Sequence, residues 1–430
     1  MKPPSPSALT NIFIVKSAIP FILLFPVLAS AADWPCHMGN NQRNGITGEQ
    51  LAAAGLTQAW VWSSAAPPQP AWAGEARYDA YQMVSGNKSM RSYDLAFNLS
   101  AAGTRVFVAS TAEGSCIALN AADGSVAWRK VTGSAVRVAP AFDSGRVYFG
   151  SDDGNAYCVD AATGAEVWKV NPSGNTTMVP NQWKMINIYP LRCGVLVQGG
   201  NAYFAAGMVP WQAQYLMAVN ATTGAQVWKQ TFNTSSGAND GHTFEGPMLS
   251  DGSTYLYQPQ GRLSPIQFLT STGARQGRLP GGGGSWALVT PDGSTMHGPG
   301  FGAQSPVVSN RSSHFKENNA TSRAAIREFP AATAVIADAA NAYLVIDRKV
   351  QKLPRAGGTA LWTADLPGAA TLILGGTTLF AGGENIVAAF DTATGSQLWS
   401  APVTGTVHTL ALANGTLYAS TSAGKIHAFR

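Results

Sequence analysis

The stretch "SDDGNAYCVDAATGAEVWKV" (residues 151–170) combines two turns with two short strands, and its second strand bears a tryptophan. The same arrangement occurs in "STAEGSCIALNAADGSVAWRK" (110–130), "LMAVNATTGAQVWKQ" (216–230) and "NIVAAFDTATGSQLWSA" (385–401). In each copy an Asn or Asp precedes the turn glycine by four residues. Glycine accepts positive φ and Asx side chains bond nearby backbone, so this spacing predicts a tight turn between strands. The chain is therefore a repeat of one β unit.

A tryptophan follows the turn glycine by four residues in five copies of the unit. The pairs are Gly124 with Trp128, Gly164 with Trp168, Gly224 with Trp228, Gly358 with Trp362, and Gly395 with Trp399. The units recur at roughly 40 residues, which is typical of a four-stranded propeller blade. Blades bury their faces only against each other, so we expect each tryptophan to dock as a wedge between neighbours, worth ~2–3 kcal/mol of burial.

Counting the units predicts an all-β fold, an eight-bladed β-propeller of four-stranded antiparallel blades. The blade cores begin near Val106, Val147, Ala202, Thr254, Thr295, Ala342, Leu379 and Leu417. The fourth unit has Gly277 in place of the tryptophan, and the fifth fits the pattern least. The last unit ends before its outer strand, so we expect "LTQAWVW" (56–62) to supply that strand. An N-terminal strand placed there closes the ring and removes free sheet edges.

The N-terminus has the features of a secretory signal peptide. The apolar run "AIPFILLFPVLASA" follows Lys2 and Lys16 and ends in a small-x-small cleavage site, Ala29-Ser30-Ala31. The alternative, a membrane anchor, is disfavoured because the run is too short to span ~30 Å as a helix. We therefore expect a signal peptide over 1–31, a monomeric propeller over 32–430 without a transmembrane segment, and a secreted or periplasmic location.

Composition excludes several classes of function. The formal charge is +5, but Lys and Arg are scattered without a basic run, so we do not expect nucleic-acid binding. Four cysteines show no metal-ligand spacing, and three disulfide connectivities stay open for an exported chain. Cys116 and Cys158 lie in strand-like runs, where a buried free thiol is the simpler interpretation. No motif assigns a catalytic residue or a metal ligand.

Three segments exceed the repeat, at about 63–95, 171–190 and 301–330. Insertions in repeat folds map to loops, often on the binding face. We therefore expect these segments, called the first, second and third insertion below, to decorate the surface that binds a partner.

The repeat resembles a known family. "VYFGSDDGNAYCVDAATGAEVWKV" (147–170) is similar to the pyrroloquinoline-quinone (PQQ) repeat of eight-bladed quinoprotein propellers, and "DWPCHMGNNQRNGIT" (33–47) resembles the lead-in of exported PQQ-like propellers. One branch of that family comprises dehydrogenases that hold PQQ and calcium, and its alcohol dehydrogenases add a ring of two adjacent cysteines, which this sequence lacks. The chain looks more like the non-catalytic exported branch, whose members bind other proteins.

Two arginines mark a candidate site. Arg137 and Arg192 each stand ten residues before a predicted blade core, which places them at equivalent positions near the central channel. Two guanidiniums at one height would attract an anion. The alternative is that each arginine bonds backbone carbonyls or a loop carboxylate. The further candidate ligand-binding residues are Trp183, Lys184, Trp211 and Glu245.

The sequence thus favours an exported, non-enzymatic binding scaffold that takes a protein, peptide or glycan through its loop face and axial funnel. No cofactor is predicted. The alternative is a PQQ- and calcium-dependent dehydrogenase with an atypical site. A third possibility, a hydrolase or lyase, requires carboxylates or histidines near Arg137 and Arg192. The acidic residues Asp152, Asp153 and Asp160 lie in repeat turns, where we expect a turn role.

Overall fold

The computed structural model describes residues 1–2, 32–71, 78–79, 84–85, 93–181, 183–209, 212–233, 243–261, 263–280, 283–298, 315–329 and 331–430. Within these ranges the structure is built from β-strands, with one 3-10 turn (His37–Gly39) and no α-helix. Over the same residues, no helix is long and apolar enough to cross a membrane.

Four short strands precede the repeats: β1 (Ile46–Thr47), β2 (Gln58–Ser63), β3 (Tyr78–Asp79) and β4 (Val84–Ser85). The first sheet contains β5 (Leu99–Ala102), β6 (Arg105–Ser110), β7 (Ser115–Asn120) and β8 (Val126–Val131). The second contains β9 (Ala141–Asp143), β10 (Arg146–Gly150), β11 (Ala156–Asp160) and β12 (Glu166–Val170). A separate hairpin follows, β13 (Met178–Asn181) and β14 (Lys184–Asn187).

The third sheet contains β15 (Leu196–Gln198), β16 (Asn201–Ala206), β17 (Gln214–Asn220) and β18 (Gln226–Phe232). The fourth contains β19 (Leu249–Ser250), β20 (Tyr255–Gln260), β21 (Leu263–Leu269) and β22 (Arg275–Arg278). The fifth contains β23 (Trp286–Val289), β24 (Thr295–Gly298), β25 (Phe315–Asn318) and β26 (Ala325–Phe329). The sixth contains β27 (Ala332–Ala337), β28 (Asn341–Ile346), β29 (Lys349–Pro354) and β30 (Trp362–Asp365).

The remaining strands form one eight-stranded sheet. They are β31 (Thr371–Gly375), β32 (Thr378–Gly382), β33 (Glu384–Asp391), β34 (Gln397–Ala413), β35 (Thr416–Thr421) and β36 (Lys425–Phe429), together with β1 and β2. The long β34 pairs with β33 through its first part and with β35 through its second. Strand β2 pairs antiparallel with β36, from Gln58 opposite Phe429 to Ser63 opposite Lys425.

The second and third strands of each sheet form the core. In the second sheet, β10 and β11 are almost entirely buried, whereas β12 alternates exposed and buried residues. Central strands pack against neighbouring sheets on both faces and so read as continuous apolar runs, while the fourth strand faces solvent on one side. The eight predicted blade cores all lie within, or one residue before, the second strand of a repeat.

The tryptophans pack between consecutive repeats, which confirms the predicted wedge. The Trp128 ring covers Gly164 of the next sheet so closely that an added Cβ would lie 2.7 Å from it, and its Nε1 donates to Ala161 O at 3.0 Å. The same pair of contacts joins Trp60 to Gly124 and Ala121, Trp168 to Gly224 and Ala221, Trp228 to Gly273 and Thr270, and Trp362 to Gly395 and Thr392.

The pattern breaks where the fourth sheet lacks its tryptophan. In the fifth sheet, Arg323 (φ +57°) occupies the position of the turn glycine, and its amide bonds Asn319 O as in a standard copy. The Arg323 guanidinium lies over the Tyr255 ring of the fourth sheet at 5.4 Å. Because no indole covers this turn, a side chain fits there. Gly358, the turn glycine of the sixth sheet, likewise has nothing within 4 Å of an added Cβ.

The third insertion is narrower than the sequence predicts. Residues 315–329, assigned to the insertion over 301–330, form β25 and β26 and complete the fifth sheet. Residues 301–314 and 330 lie outside the described part of the chain.

Residues 33–49, the N-terminal segment, cross the repeats one after another. Trp34 exchanges backbone hydrogen bonds with Ala101 of the first sheet, and Met38 packs against the core that contains Ile336 of the sixth. Backbone or side-chain hydrogen bonds join the segment to the first strand of other repeats at Phe142, Val197, Ser250, Val289 and Leu374, and to Asn414 directly after β34. One continuous stretch therefore ties together the first strands of successive repeats.

Candidate functional site

Charged side chains gather just before the first strands of four consecutive repeats. Asp94 precedes β5, Arg137 precedes β9, Arg192 precedes β15 and Glu245 precedes β19. All four are buried, and the backbones of Arg192 and Glu245 bridge directly. The predicted pair of arginines thus belongs to a larger cluster that also contains buried carboxylates.

Arg137 bonds groups from three parts of the chain. Its Nε donates to Asp152 Oδ2 at 2.8 Å, and its Nη1 donates to Asp94 Oδ2 at 2.7 Å and to Gln69 O at 2.9 Å. Burial alone would lower the pKa of Arg137, but the two carboxylates outweigh it and raise that pKa. The guanidinium is therefore permanently charged and held in one orientation.

Arg192 shares the same carboxylate. Its Nε and Nη2 donate to the two oxygens of Asp152, each at 3.1 Å, and its Nη1 lies 3.9 Å from Glu245 Oε1. Burial of Asp152 disfavours its charge, but the two guanidiniums lower its pKa on balance. Asp152 thus bridges both arginines.

Asp94 lies at the edge of the cluster. Its Oδ2 accepts from Arg137 and from Ala71 N, at 2.8 Å, while burial raises its pKa despite the nearby guanidinium. Its Oδ1 has no hydrogen-bond partner among the described residues, and the same holds for the neighbouring Tyr93 hydroxyl. Burial, Asp94 and Glu245 together raise the pKa of Tyr93.

These contacts show how the arginine pair is bonded within the described residues. Arg137 and Arg192 do stand side by side, as predicted, but each bonds a loop carboxylate. Sequence reasoning gave Asp152 a turn role and missed this bridge. The one feature of the sequence that could have indicated this bridge is that two buried arginines need an acidic partner.

Of the aromatic side chains that the structure describes, the most exposed belongs to the second insertion. The β13–β14 hairpin places Trp183 at its turn with φ +68° and the side chain fully exposed. Met185 is also exposed. Lys184 points back, and its Nζ donates to Ala112 O at 2.7 Å, with burial lowering its pKa.

The remaining predicted site residues divide as follows. Glu245 joins the arginine cluster, and Lys184 lies close enough to Arg137 and Asp152 for both to affect its pKa. Trp183 stands apart from the cluster, on the surface. Trp211 lies outside the described residues.

A cavity of about 420 Å³ lies where the second insertion leaves the second sheet. Its lining residues are Gly133, Asp153, Asn155, Lys169, Asn171, Gly174, Thr176, Met178 and Asn187. The Asp153 carboxylate in it is already bonded to Gly133 N, Asn155 and the Tyr157 hydroxyl.

Other reactive groups are dispersed or buried. Among the described residues, no three His, Cys, Asp or Glu side chains are arranged to hold a metal ion. The four cysteines are free and buried, and burial raises the pKa of each thiol.

Repeated four-stranded antiparallel sheets, joined by tryptophans that dock on the next turn glycine, define a PQQ-like repeat β-propeller protein. The family model described as "Outer membrane protein assembly factor BamB" matches residues 54–180, 152–301 and 347–430, more than half of the chain. The chain belongs to this family.

Individual relatives are distant. Tetrathionate hydrolase of Acidithiobacillus ferrooxidans is 29% identical over 139 residues, which cover 32% of this chain and 24% of that protein. BamB of Moraxella catarrhalis aligns with a TM-score of 0.56 at 15% identity, over 87% of this chain and 99% of that one. A quinohemoprotein alcohol dehydrogenase of Pseudomonas putida HK5 aligns with a TM-score of 0.62 at 11% identity, over 93% and 80%. These structural likenesses show the fold.

Proposed function

We propose that this chain is an exported, non-enzymatic, eight-bladed propeller, closed by β2, that binds a protein of the cell envelope through the face bearing the second insertion. The predicted signal peptide over 1–31 supports export. The family description, outer membrane protein assembly factor, supports an envelope protein as the partner.

The observation that supports binding most directly is the state of Trp183. A left-handed conformation costs a non-glycine residue about 1–2 kcal/mol. Trp183 adopts it while leaving its whole side chain in solvent, so folding gains nothing from the indole. Exposed aromatic side chains of this kind are the commonest energetic anchors of protein interfaces. Strain without a folding benefit favours a role in recognition.

The arginine pair supports a protein partner over a small anion. Both guanidiniums are already bonded to Asp94 or Asp152 inside the fold. An anion would have to displace these charge-assisted bonds, which are among the strongest hydrogen bonds in proteins. The exposed hairpin requires no such rearrangement.

Site-specific photo-crosslinking tests the proposal. A photoreactive phenylalanine analogue replaces Trp183, and the control replaces Leu361, an exposed apolar residue next to β30. Irradiation in envelope fractions is expected to give a discrete protein adduct from position 183 alone. An adduct that glycosidase removes and protease does not would assign a glycan instead. Equal adducts at both positions, or none, would refute the proposal.

A second candidate function is hydrolysis at the cluster of charged residues around Arg137 and Arg192. It requires carboxylates beside the two arginines, and Asp94, Asp152 and Glu245 are buried there. The partial similarity to tetrathionate hydrolase points to an inorganic polythionate as the substrate to try. Thiosulfate release from tetrathionate, lost in Asp94→Asn, would establish this activity. Its absence across acidic and neutral pH would exclude that substrate.

The quinone alternative fits the described residues poorly. PQQ is a polycarboxylate, and the guanidiniums that would hold it already bond carboxylates of the chain. The resident acidic groups would also repel it. A calorimetric titration with PQQ and calcium, repeated on Arg137→Ala/Arg192→Ala, is expected to give no binding heat with either protein. Tight binding lost in the double variant would reinstate the dehydrogenase.

A further inference from the structure

The first and second insertions meet on adjacent residues of the first sheet. Gln69 N, in the first insertion, donates to Thr111 Oγ1 at 2.8 Å. Lys184 Nζ, in the second, donates to Ala112 O at 2.7 Å. Thr111 and Ala112 lie in the turn between β6 and β7, so the two insertions lie side by side there.

A second junction links the same two segments through buried charges. Arg137 donates to Gln69 O and to Asp94, whose carboxylate also holds Ala71 N. Arg137 also bonds Asp152, whose backbone oxygen accepts from Asn187 N, at the end of β14, at 2.7 Å. One side chain thus connects the described ends of the first insertion with the base of the hairpin.

We infer that Arg137 is a positioning residue that holds residues 64–71 and the hairpin 178–187 together as one composite surface. The use of that surface by a partner rests on the function proposed above. A guanidinium suits this role because its donors point in several fixed directions at once. A lysine ammonium at the same place would keep the charge but not this geometry.

Hydrogen exchange of the full chain, measured peptide by peptide, tests the inference without any ligand. In Arg137→Gln, exchange is expected to rise about tenfold or more at the Gln69 and Ala71 amides and in residues 178–187, because both segments lose their charge-assisted anchor. The matched control is Arg355→Gln. Arg355 is a comparably buried arginine that bonds Asp292 and Glu317 in the fifth sheet. It is expected to leave both segments unchanged.

A milder variant separates the two arms of the junction. Asp94→Asn keeps the Arg137–Asp152 pair and weakens only the contacts to the first insertion. Exchange is expected to rise at the Gln69 and Ala71 amides but not in residues 178–187. Arg137→Lys, which keeps the charge, is expected to give an intermediate effect in both segments.

Three results would overturn the inference, whatever photo-crosslinking shows. They are an unchanged hairpin in Arg137→Gln, equal loosening of both segments by Arg355→Gln, and a hairpin that loosens in Asp94→Asn. Failure of the crosslinking experiment alone would leave the junction standing and remove only its proposed use.

Discussion

An alanine at Gly164 tests the docking of tryptophan on the next repeat. Gly164 has φ +73°, and an added Cβ would lie 2.7 Å from the Trp128 ring. Gly145, in the same sheet, has φ +75° and nothing within 4 Å, so it is a matched control for the backbone cost. The difference between the two alanine variants isolates the contact with the indole.

The magnitudes follow from the geometry. The left-handed conformation costs alanine about 1–2 kcal/mol, partly offset by the lower entropy of the unfolded chain, so Gly145→Ala should lose ~1 kcal/mol. Gly164→Ala adds overpacking of ~1–3 kcal/mol, since the methyl group forces the indole to move. It also disturbs the hydrogen bond from Trp128 Nε1 to Ala161 O, worth about 1 kcal/mol. We expect a difference of roughly 2–4 kcal/mol between the variants.

The assay is equilibrium unfolding in urea, followed by circular dichroism. A third measurement completes the test, with Gly164→Ala introduced into Trp128→Ala. Without the indole, the new methyl group has room, so Gly164→Ala should then cost no more than Gly145→Ala. If both alanine variants lose the same stability in the wild-type background, the docking described here does not contribute to folding.

Three further predictions concern the hairpin, the charge cluster and the thiols. Trp183→Gly relieves a left-handed backbone and should raise the free energy of unfolding by about 0.5–1 kcal/mol; a lower urea midpoint would contradict this. Asp152 has a folded-state pKa below its ordinary 3.8, so its stabilisation is complete above that value and is lost as the pH falls toward the folded-state pKa. The stability gap between wild type and Asp152→Asn should therefore be constant at neutral pH and shrink in acid, and a gap independent of pH down to about 2 would count against the bridge. The four buried thiols, with raised pKa values, should react with a thiol reagent only after unfolding, and a rapid reaction of any of them in the native protein would contradict the burial.

The fold was predictable because its determinants are local and repeated. The five residues from the Asx residue to the glycine are enough to determine the turn. Trp128 and Trp168 each pack on the next copy of that turn. The rule fails where two neighbours change together. In the fourth repeat Gly277 stands where the other copies have tryptophan. In the fifth repeat Arg323 stands where the other copies have the turn glycine on which that tryptophan would pack. Neither position alone therefore identifies its repeat.

The candidate site was only half predictable. Repeat alignment placed Arg137 and Arg192 together, because equivalent positions of adjacent units are neighbours in space. Their shared partner, Asp152, lies 15 and 40 residues away in a turn and has no local signal for that contact. The conformation of Trp183 is equally invisible in sequence, since it depends on a hairpin outside the repeat.

The N-terminal segment sets an order of events for the growing chain. Glu49 is synthesised long before its partner Asn414, and β2 long before β36, which it joins as the outer strand. Glu49 therefore lacks this partner until residues some 365 positions later have been synthesised. Contacts of such separation make folding slow and leave strand edges open to wrong pairing in the meantime. A chain that lacks β36 would leave β2 without the strand it pairs with.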